Sequence, residues 1–310
     1  MGFHYSVLLS ETLESLSLKK DGVYVDLTLG RAGTSSSILE RIPEGHLYSF
    51  DMDQEAIDES KIRLDKVGNN YTIIKSNFAY FVEKLNEIGI TEVDGITADL
   101  GVSSPQFDES NRGFSYREDA LLDMRMDVDN PLNARIIVNT YPFEKLLKVF
   151  RDYGEDNYSY QIAKAIVKER ENKEIKTTGE LVELIKRVKP MRELAKKGHP
   201  AKQIFQALRI ETNDELGNLK SLLETFDSIL KPNGRIAIIT FQSLEDRLVK
   251  EKFKSLTTIE GSREGPDVLA SEIPEAPYIS ITRKPIIATQ KELDENHRSK
   301  SAKLRVIEKE

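Results

Sequence analysis

Asp26 sits inside a short apolar run, V-Y-V-D-L, and from Gly30 to Ser35 the chain reads G-R-A-G-T-S. Glycines directly after a strand let the backbone bend tightly and approach a ligand, with a helix start beyond. Asp51 closes a second apolar run, 18 residues past Gly33. A carboxylate there accepts both hydroxyls of a ribose, as in dinucleotide folds. A third run leads to Asn77-Phe78, an aromatic placed either to lie against an adenine or to pack in the core. A fourth, Gly95 to Ala98, enters Asp99 and then L-G-V-S-S-P-Q-F, ending at Phe107. Carboxylates and hydroxyls thus stand where four successive strands end, the arrangement of a nucleoside-binding crevice.

Several cofactors use such an edge. NAD favours the fuller G-x-G-x-x-G, and its pyrophosphate wants a strongly donating helix start. S-adenosylmethionine has no phosphate, and its amino-acid end lies over the first loop and near the fourth strand. An acid at Asp26 followed by the glycine turn suits that donor better. Asp99 then holds the amino-acid end, while the residues after it cross beneath the methyl group. Ser104-Pro105-Gln106-Phe107 resembles the Asp/Asn/Ser-Pro-Pro-aromatic motif of methyltransferases that modify exocyclic amines of bases, with Gln as the second proline. Such an amine is a poor nucleophile because its lone pair is delocalised into the ring. An oxygen at Ser104 or its backbone accepting the amine hydrogens favours pyramidal nitrogen, and Pro105 keeps that acceptor preorganised. The bland alternative is a serine-proline turn with Phe107 in the core.

The elements that hold these residues follow from periodicity. Strands are expected over Val23–Leu27, Leu47–Phe50, Tyr71–Lys75 and Gly95–Ala98, with helices over Ser35–Arg41, Gln54–Val67 and Phe81–Ile88. Strand–helix alternation of this kind implies a parallel sheet covered on both faces. From Asp108 to residue 133 the chain reads as one long ordered loop rich in Arg, Asp and Gly. Helices are expected over 143–170, 178–196 and 201–229, the second opening with a capping box at T-T-G-E. Strands over Arg235–Phe241, Tyr278–Arg283 and Ala302–Ile307 finish the pattern. The economical architecture is one α/β domain, residues 1–107 and 205–310, interrupted by an inserted loop and helical domain, residues 108–204.

Composition narrows the setting. At 39% hydrophobic and 31% charged the chain is globular, and the absence of cysteine excludes disulfides, thiolate zinc and a cysteine nucleophile. His4, His46, His199 and His297 have no metal-ligand spacing, and Glu245-Asp246-Arg247 after the fifth strand reads more as self-pairing charge than as a metal site. No metal is expected. No apolar run approaches the ~18–20 residues needed to span a bilayer, and the first residues do not read as a signal peptide. A reducing cytoplasm is the expected location. The net charge is −7, yet Lys186–Lys202 is a basic run with a single Glu, and His297–Arg305 is a second basic cluster. Two such clusters in an acidic protein suggest a local polyanion footprint rather than two solvated faces. In the loop, Arg112, Arg117 and Arg125 interleave with Phe114 and Tyr116, which suits phosphates and unstacked bases. The other reading is a packed lid held by pairs with Asp119, Asp123, Asp127 and Asp129. Arg209 and Asn213 share one helix face.

D-L-G-V-S-S-P-Q-F-D (Asp99–Asp108), R-G-F-S-Y-R-E-D-A-L-L-D-M-R-M-D (Arg112–Asp127) and Y-G-E-D (Tyr153–Asp156) resemble signatures of the bacterial 16S rRNA cytosine-N4 methyltransferases. F-Q-A-L-R-I-E-T-N-D-E-L (Phe205–Leu216) and S-L-E-D-R-L-V-K (Ser243–Lys250) continue the likeness, which reaches both ends of the chain. The resemblance implies a class I (Rossmann-like) methyltransferase fold, S-adenosylmethionine as donor, and a P-site cytosine of 16S rRNA in the small ribosomal subunit as acceptor. It places the cofactor on Gly30, Ala32, Gly33, Thr34, Asp51, Phe78, Asp99 and Gln106. Ser104 and Pro105 are the expected catalytic residues. Arg112, Phe114, Arg125, Lys196, Lys197, Lys202, Arg209 and Asn213 are the expected rRNA contacts, with a homo-oligomer left open. Two stretches depart from the family: Ala32 and Thr34 replace a glycine and a histidine of G-R-G-G-H-S, and Gln242 replaces the histidine of F-H-S-L-E-D-R. These changes leave room for a diverged paralogue acting on another base or amine; a non-catalytic ribosome-binding factor is an alternative of another class, against which the intact Asp51, Asp99 and S-S-P-Q-F argue.

Overall fold

The computed structural model describes residues 6–101, 112–259 and 276–310. Ser104, Pro105, Gln106 and Phe107 lie outside the described residues. The chain divides into two compact units, residues 1–101 with 218–310, and residues 102–217.

In the first unit seven strands among the described residues form one sheet: β1 (Val23–Asp26), β2 (His46–Asp51), β3 (Tyr71–Lys75), β4 (Val93–Asp99), β5 (Leu230–Thr240), β6 (Tyr278–Ser280) and β7 (Lys303–Lys309). Their order across the sheet is β3-β2-β1-β4-β5-β7-β6. β1 to β5 pair in parallel, and β7 pairs antiparallel with both β5 and β6. Alternate residues go to opposite faces, as the strand period of two requires. Val25, Tyr48, Phe50, Ile96, Ile236 and Ile238 pack with one core, under Phe81–Glu87, Glu215–Thr225 and Ser243–Thr257. Tyr24, Leu47, Ala237, Ile239 and Val306 pack with the other, under Leu9–Leu16, Gly33–Leu39 and Gln54–Leu64. Apolar residues on both faces are the mark of a buried parallel sheet. The fold is the expected α/β sheet with its antiparallel closing pair.

The second unit is helical around its own core, with Ala134–Thr140, Phe143–Asp152, Ser159–Arg170, Thr178–Val188 and Lys202–Asn213 supplying most of the buried side chains. Among the described residues, no helix is long and apolar enough to cross a membrane.

Three long helices expected from periodicity are each divided. The stretch 143–170 breaks between Asp152 and Ser159, where Glu155 takes a left-handed backbone (φ 50°). The stretch 178–196 ends at Val188, and Pro190 begins a short turn, Met191–Leu194, because proline lacks the N–H that a helix interior needs. Asp214 (φ 47°) separates Lys202–Asn213 from Glu215–Thr225. The return to the sheet also comes later than residue 205. Phe205, Ala207 and Leu208 bury themselves in the helical core instead, and the second unit runs to residue 217.

Candidate active site

Parallel strands bring the ends of β1, β2 and β4 to one edge of the sheet. The chain moves outward from β1 to β2 and β3, then returns to lay β4 on the other side of β1. That reversal leaves a crevice at the carboxyl ends of the strands, where ligands bind in open α/β sheets. Asp51 terminates β2, Asp99 terminates β4, and Asp26 terminates β1 between them.

The glycine turn is built around two left-handed residues, Gly30 (φ 50°) and Ala32 (φ 56°). At Gly30 a side chain would meet only the Thr28 carbonyl oxygen, at 3.9 Å, so the backbone there is open to a ligand. Gly33 is different, because a side chain at that position would run into the Ser6 hydroxyl. Ala32 is fully buried and its carbonyl accepts the Ser36 N–H, starting the helix Gly33–Leu39. The departure from glycine at Ala32 therefore keeps a backbone that glycine favours, at a cost of roughly 1–2 kcal/mol for the left-handed conformation.

Asp51 fixes the turn. Its Oδ2 accepts the Gly30 N–H at 2.9 Å and its Oδ1 accepts the Asp53 N–H at 2.9 Å. Ser60 Oγ donates to the Gly30 carbonyl at 2.7 Å. An ionised carboxylate offers about four acceptor positions, so each Asp51 oxygen retains a lone pair beyond its backbone partner. Burial pushes the Asp51 carboxyl up to about 6, with the Asp53 and Gly30 amides opposing it. Asp99 is likewise pushed up to about 6 by burial, opposed by the Gly101 N–H and reinforced by the charge of Asp26. Asp99 Oδ1 accepts that Gly101 N–H at 3.1 Å, and the Asp99 N–H donates to Thr28 Oγ1 at 2.7 Å. Phe78 opens a short turn after β3 and is half-buried against the sheet core. It therefore packs against the core while remaining partly exposed.

The fold thus brings Gly30, Ala32, Gly33, Thr34, Asp51, Phe78 and Asp99 to one sheet unit, on or beside the carboxyl edge. Sequence reasoning passed over Thr28, Ser35, Ser49 and Ser60, which hold this edge together. The available signal was a serine at a buried position in the apolar strand L-Y-S-F-D.

The expected rRNA contacts behave differently. Phe114 is only 4% exposed and belongs to the helical core, so it is not placed to stack on a base. Arg125 forms a two-pronged ion pair with Asp123, at 2.9 Å through both Nε and Nη2, and donates to the Val128 and Asn130 carbonyls. Arg112 donates to the Arg125 and Met126 carbonyls, both at 3.0 Å. Asn213 accepts the Met126 N–H at 2.8 Å and donates to the Met124 carbonyl at 2.8 Å. Arg209 makes a two-pronged pair with Glu215 at 2.7 and 2.8 Å. These five residues pack and tie down the loop and adjoining helix, which is the packed-lid arrangement. Lys196, Lys197 and Lys202 are exposed, and Lys196 pairs with Glu193 at 2.8 Å. The second basic cluster is partly consumed, because Lys303 and Arg305 both pair with Asp246, at 2.9 and 2.8 Å. Glu245 Oε2 accepts the Phe241 and Gln242 N–H groups, capping the start of the helix that follows β5.

The model of the MraW methylase family matches residues 1–310. A ribosomal RNA small subunit methyltransferase H from Streptococcus mutans is 53% identical over 310 residues, covering 99% of this chain and 97% of the relative. Its namesake from Streptococcus dysgalactiae subsp. equisimilis is 51% identical over 311 residues, with the same coverage. Among solved structures, an rRNA methylase from Streptococcus thermophilus superposes loosely, with TM-score 0.38, 12% identity, and 97% and 92% of the two chains covered. A Streptococcus mutans protein in complex with SAH gives TM-score 0.42 at 12% identity, covering 99% and 100%. With a family match along its whole length and two relatives above half identity, the chain belongs to the MraW methylase family.

Proposed function

We propose that the protein transfers a methyl group from S-adenosylmethionine to the N4 amine of a P-site cytosine in the 16S rRNA of the small ribosomal subunit. The observation that carries this reading is the near-full-length likeness to two ribosomal RNA small subunit methyltransferases H. The stretch D-L-G-V-S-S-P-Q-F-D, which resembles the cytosine-N4 enzymes, narrows the acceptor to an exocyclic amine.

The sheet edge fits the donor. Asp51 keeps lone pairs for two ribose hydroxyls, Gly30 leaves open space above its Cα, and Asp99 supplies a carboxylate for a cationic amino-acid end. Phe78 stands after β3 for the adenine, and Gln106 is assigned to the donor by resemblance alone. S-adenosylmethionine supplies an electrophilic methyl group carried on sulfonium sulfur. In this reading Ser104 and the neighbouring backbone accept the amine hydrogens so that the nitrogen lone pair points along the line of displacement. Pro105 restricts that acceptor to one orientation, and the released proton passes to solvent. Lys196, Lys197 and Lys202, exposed on the helical unit, supply phosphate contacts that position without reading sequence. The substrate places the protein in the cytoplasm.

Mass spectrometry of 16S rRNA from cells with and without the protein tests the assignment. Loss of one N4-methyl mark at the P-site cytosine is expected. A loss at another base would select the diverged paralogue that Thr34 and Gln242 leave open, and an unchanged rRNA with no donor binding would select a ribosome-binding factor.

A further inference from the structure

Beneath the glycine turn runs a chain of polar groups linking β2, β1 and β4, buried at Ser49, Ser35 and Asp26 and half-buried at Thr28. Ser49 in β2 lies beside Asp26 of β1 in register, and both are buried. Ser35 Oγ donates to Asp26 Oδ2 at 2.6 Å and sits 2.9 Å from Ser49 Oγ. Because the Ser35 proton is committed to Asp26, Ser49 is the donor of the second pair. Asp26 Oδ1 accepts the Thr28 N–H at 3.1 Å, and Thr28 Oγ1 accepts the Asp99 N–H at 2.7 Å. Ser35 belongs to the helix that the glycine turn begins, so the chain ties that turn to the strand ends on both sides.

This polarity is unfavourable for folding alone. Tyr24 and Leu47 make the same face of the sheet apolar, with Ile38 and Leu39 of the covering helix packed in the same core, and a buried hydroxyl or carboxylate has a desolvation cost that hydrogen bonds only offset. Polar groups retained in a core against local preference mark functional sites.

We infer that Ser49, Ser35, Asp26 and Thr28 form a positioning relay for the methyl-donor site, with Ser49 as its anchor. Ser49 fixes the rotamer of Ser35, Ser35 fixes Asp26, and Asp26 with Thr28 holds the glycine turn in register with the Asp99 backbone. Ser49 touches neither donor nor acceptor, so it is a positioning residue. The inference rests on the reading of this edge as the S-adenosylmethionine site.

Calorimetric titration of the full chain with S-adenosylmethionine, paired with single-turnover methylation of small-subunit rRNA at saturating donor, tests it. Ser49→Ala is expected to weaken donor binding about fivefold, the equivalent of roughly 1 kcal/mol for one hydrogen bond, and to leave saturated turnover within about twofold. Ser49→Cys, similar in size and a weak donor, is expected between Ala and Ser. In an Asp26→Asn background the effect of Ser49→Ala is expected to vanish, because the relay is already cut. Wild-type affinity in both Ser49 variants would overturn the relay. So would losses that add fully with Asp26→Asn or follow melting temperature alone. A wild-type chain that binds no S-adenosylmethionine would instead overturn the donor-site reading.

Discussion

Donor affinity should depend on pH through two carboxylates, and Asp51→Asn should remove half of that dependence. Asp51 and Asp99 are both pushed up to about 6 by burial, and each must be ionised to accept donor hydrogens or face a cationic amino group. If only the ionised forms bind, each group weakens affinity by the factor 1 + 10^(pKa − pH), about 11 at pH 5 and about 1.1 at pH 7. The two together predict a loss of roughly 100-fold between pH 7 and pH 5, felt as one coupled titration with Asp26 nearby. Asn at position 51 offers one acceptor where the carboxylate now serves both Gly30 and Asp53 N–H groups. Affinity at pH 8 should fall at least tenfold, since each charge-assisted bond to the ribose is worth roughly 1.5–3 kcal/mol. The remaining pH dependence should be about tenfold, from Asp99. Calorimetry from pH 5 to pH 8 measures both effects. A wild-type affinity flat across that range, or an Asp51→Asn variant with the wild-type slope, would refute the reasoning.

The same carboxylates act on folding with the reverse of the usual sign. Their folded values lie above the ordinary 3.8, so the native state binds more protons than the unfolded chain between about pH 4 and pH 6. Their contribution to stability is fullest below that window and is lost as pH rises through it. Asp94, Asp123, Asp227 and Asp246 are held low by lysines, arginines and hydrogen bonds. Their stabilisation is present above the ordinary value and is lost as pH falls through their depressed ones. Donor-free melting temperature should therefore show less decline from pH 4 to pH 6 in Asp51→Asn than in wild type.

Three substitutions probe other parts of the molecule. Ala32→Gly relieves a left-handed alanine but loses a buried methyl worth about 0.8 kcal/mol and gains unfolded-chain freedom; the urea midpoint should therefore move by the equivalent of less than about 1 kcal/mol, and a larger shift would mean the turn is not as described. Lys189 and Asp156 form an ion pair at 7% and 1% side-chain exposure, so Asp156→Ala should cost about 3–5 kcal/mol in urea unfolding, with much of it recovered in Asp156→Leu/Lys189→Met. Charge reversal at Lys196, Lys197 and Lys202 should flatten the salt dependence of rRNA binding by about 0.7–0.9 log units per lost phosphate contact, leaving donor affinity unchanged. An unaltered salt slope would make that segment a solvated face.

The sheet was legible because its evidence is local. Each of β1 to β4 is a short apolar run closed by a turn residue, and period-two burial on both faces reads directly as a parallel sheet. Asp51 and Asp99 were legible for the same reason, since a strand's last residue needs no distant partner to place it at the edge. The helix breaks at Glu155 and Asp214 were missed although Gly154 and Asn213-Asp214 stand there, because turn-prone residues permit a left-handed backbone without requiring it. Tertiary packing imposes it. The Lys189–Asp156 pair joins residues 33 positions apart, a separation at which charge pattern carries no information about contact.

The loop around Arg112 to Asp127 shows where residue type alone fails. Arginine, aspartate and aromatics compose an RNA-binding surface and a self-locked lid equally well. The two differ in whether the carboxylates reach the guanidinium groups before phosphate can. Asp123 stands two residues from Arg125 and also caps its backbone N–H at 3.0 Å, so the pair closes locally without waiting for a long-range contact. Asn213 then fastens the loop through Met124 and Met126, and Phe114 drops into the core behind it. An RNA competing for Arg125 would have to break two charge-assisted bonds of roughly 1.5–3 kcal/mol each in gross terms. The exposed lysines at 196, 197 and 202 require far less rearrangement. Of the two basic groups, the lysines are therefore the ones open to phosphate, and the arginine loop is held by its own carboxylates and carbonyls.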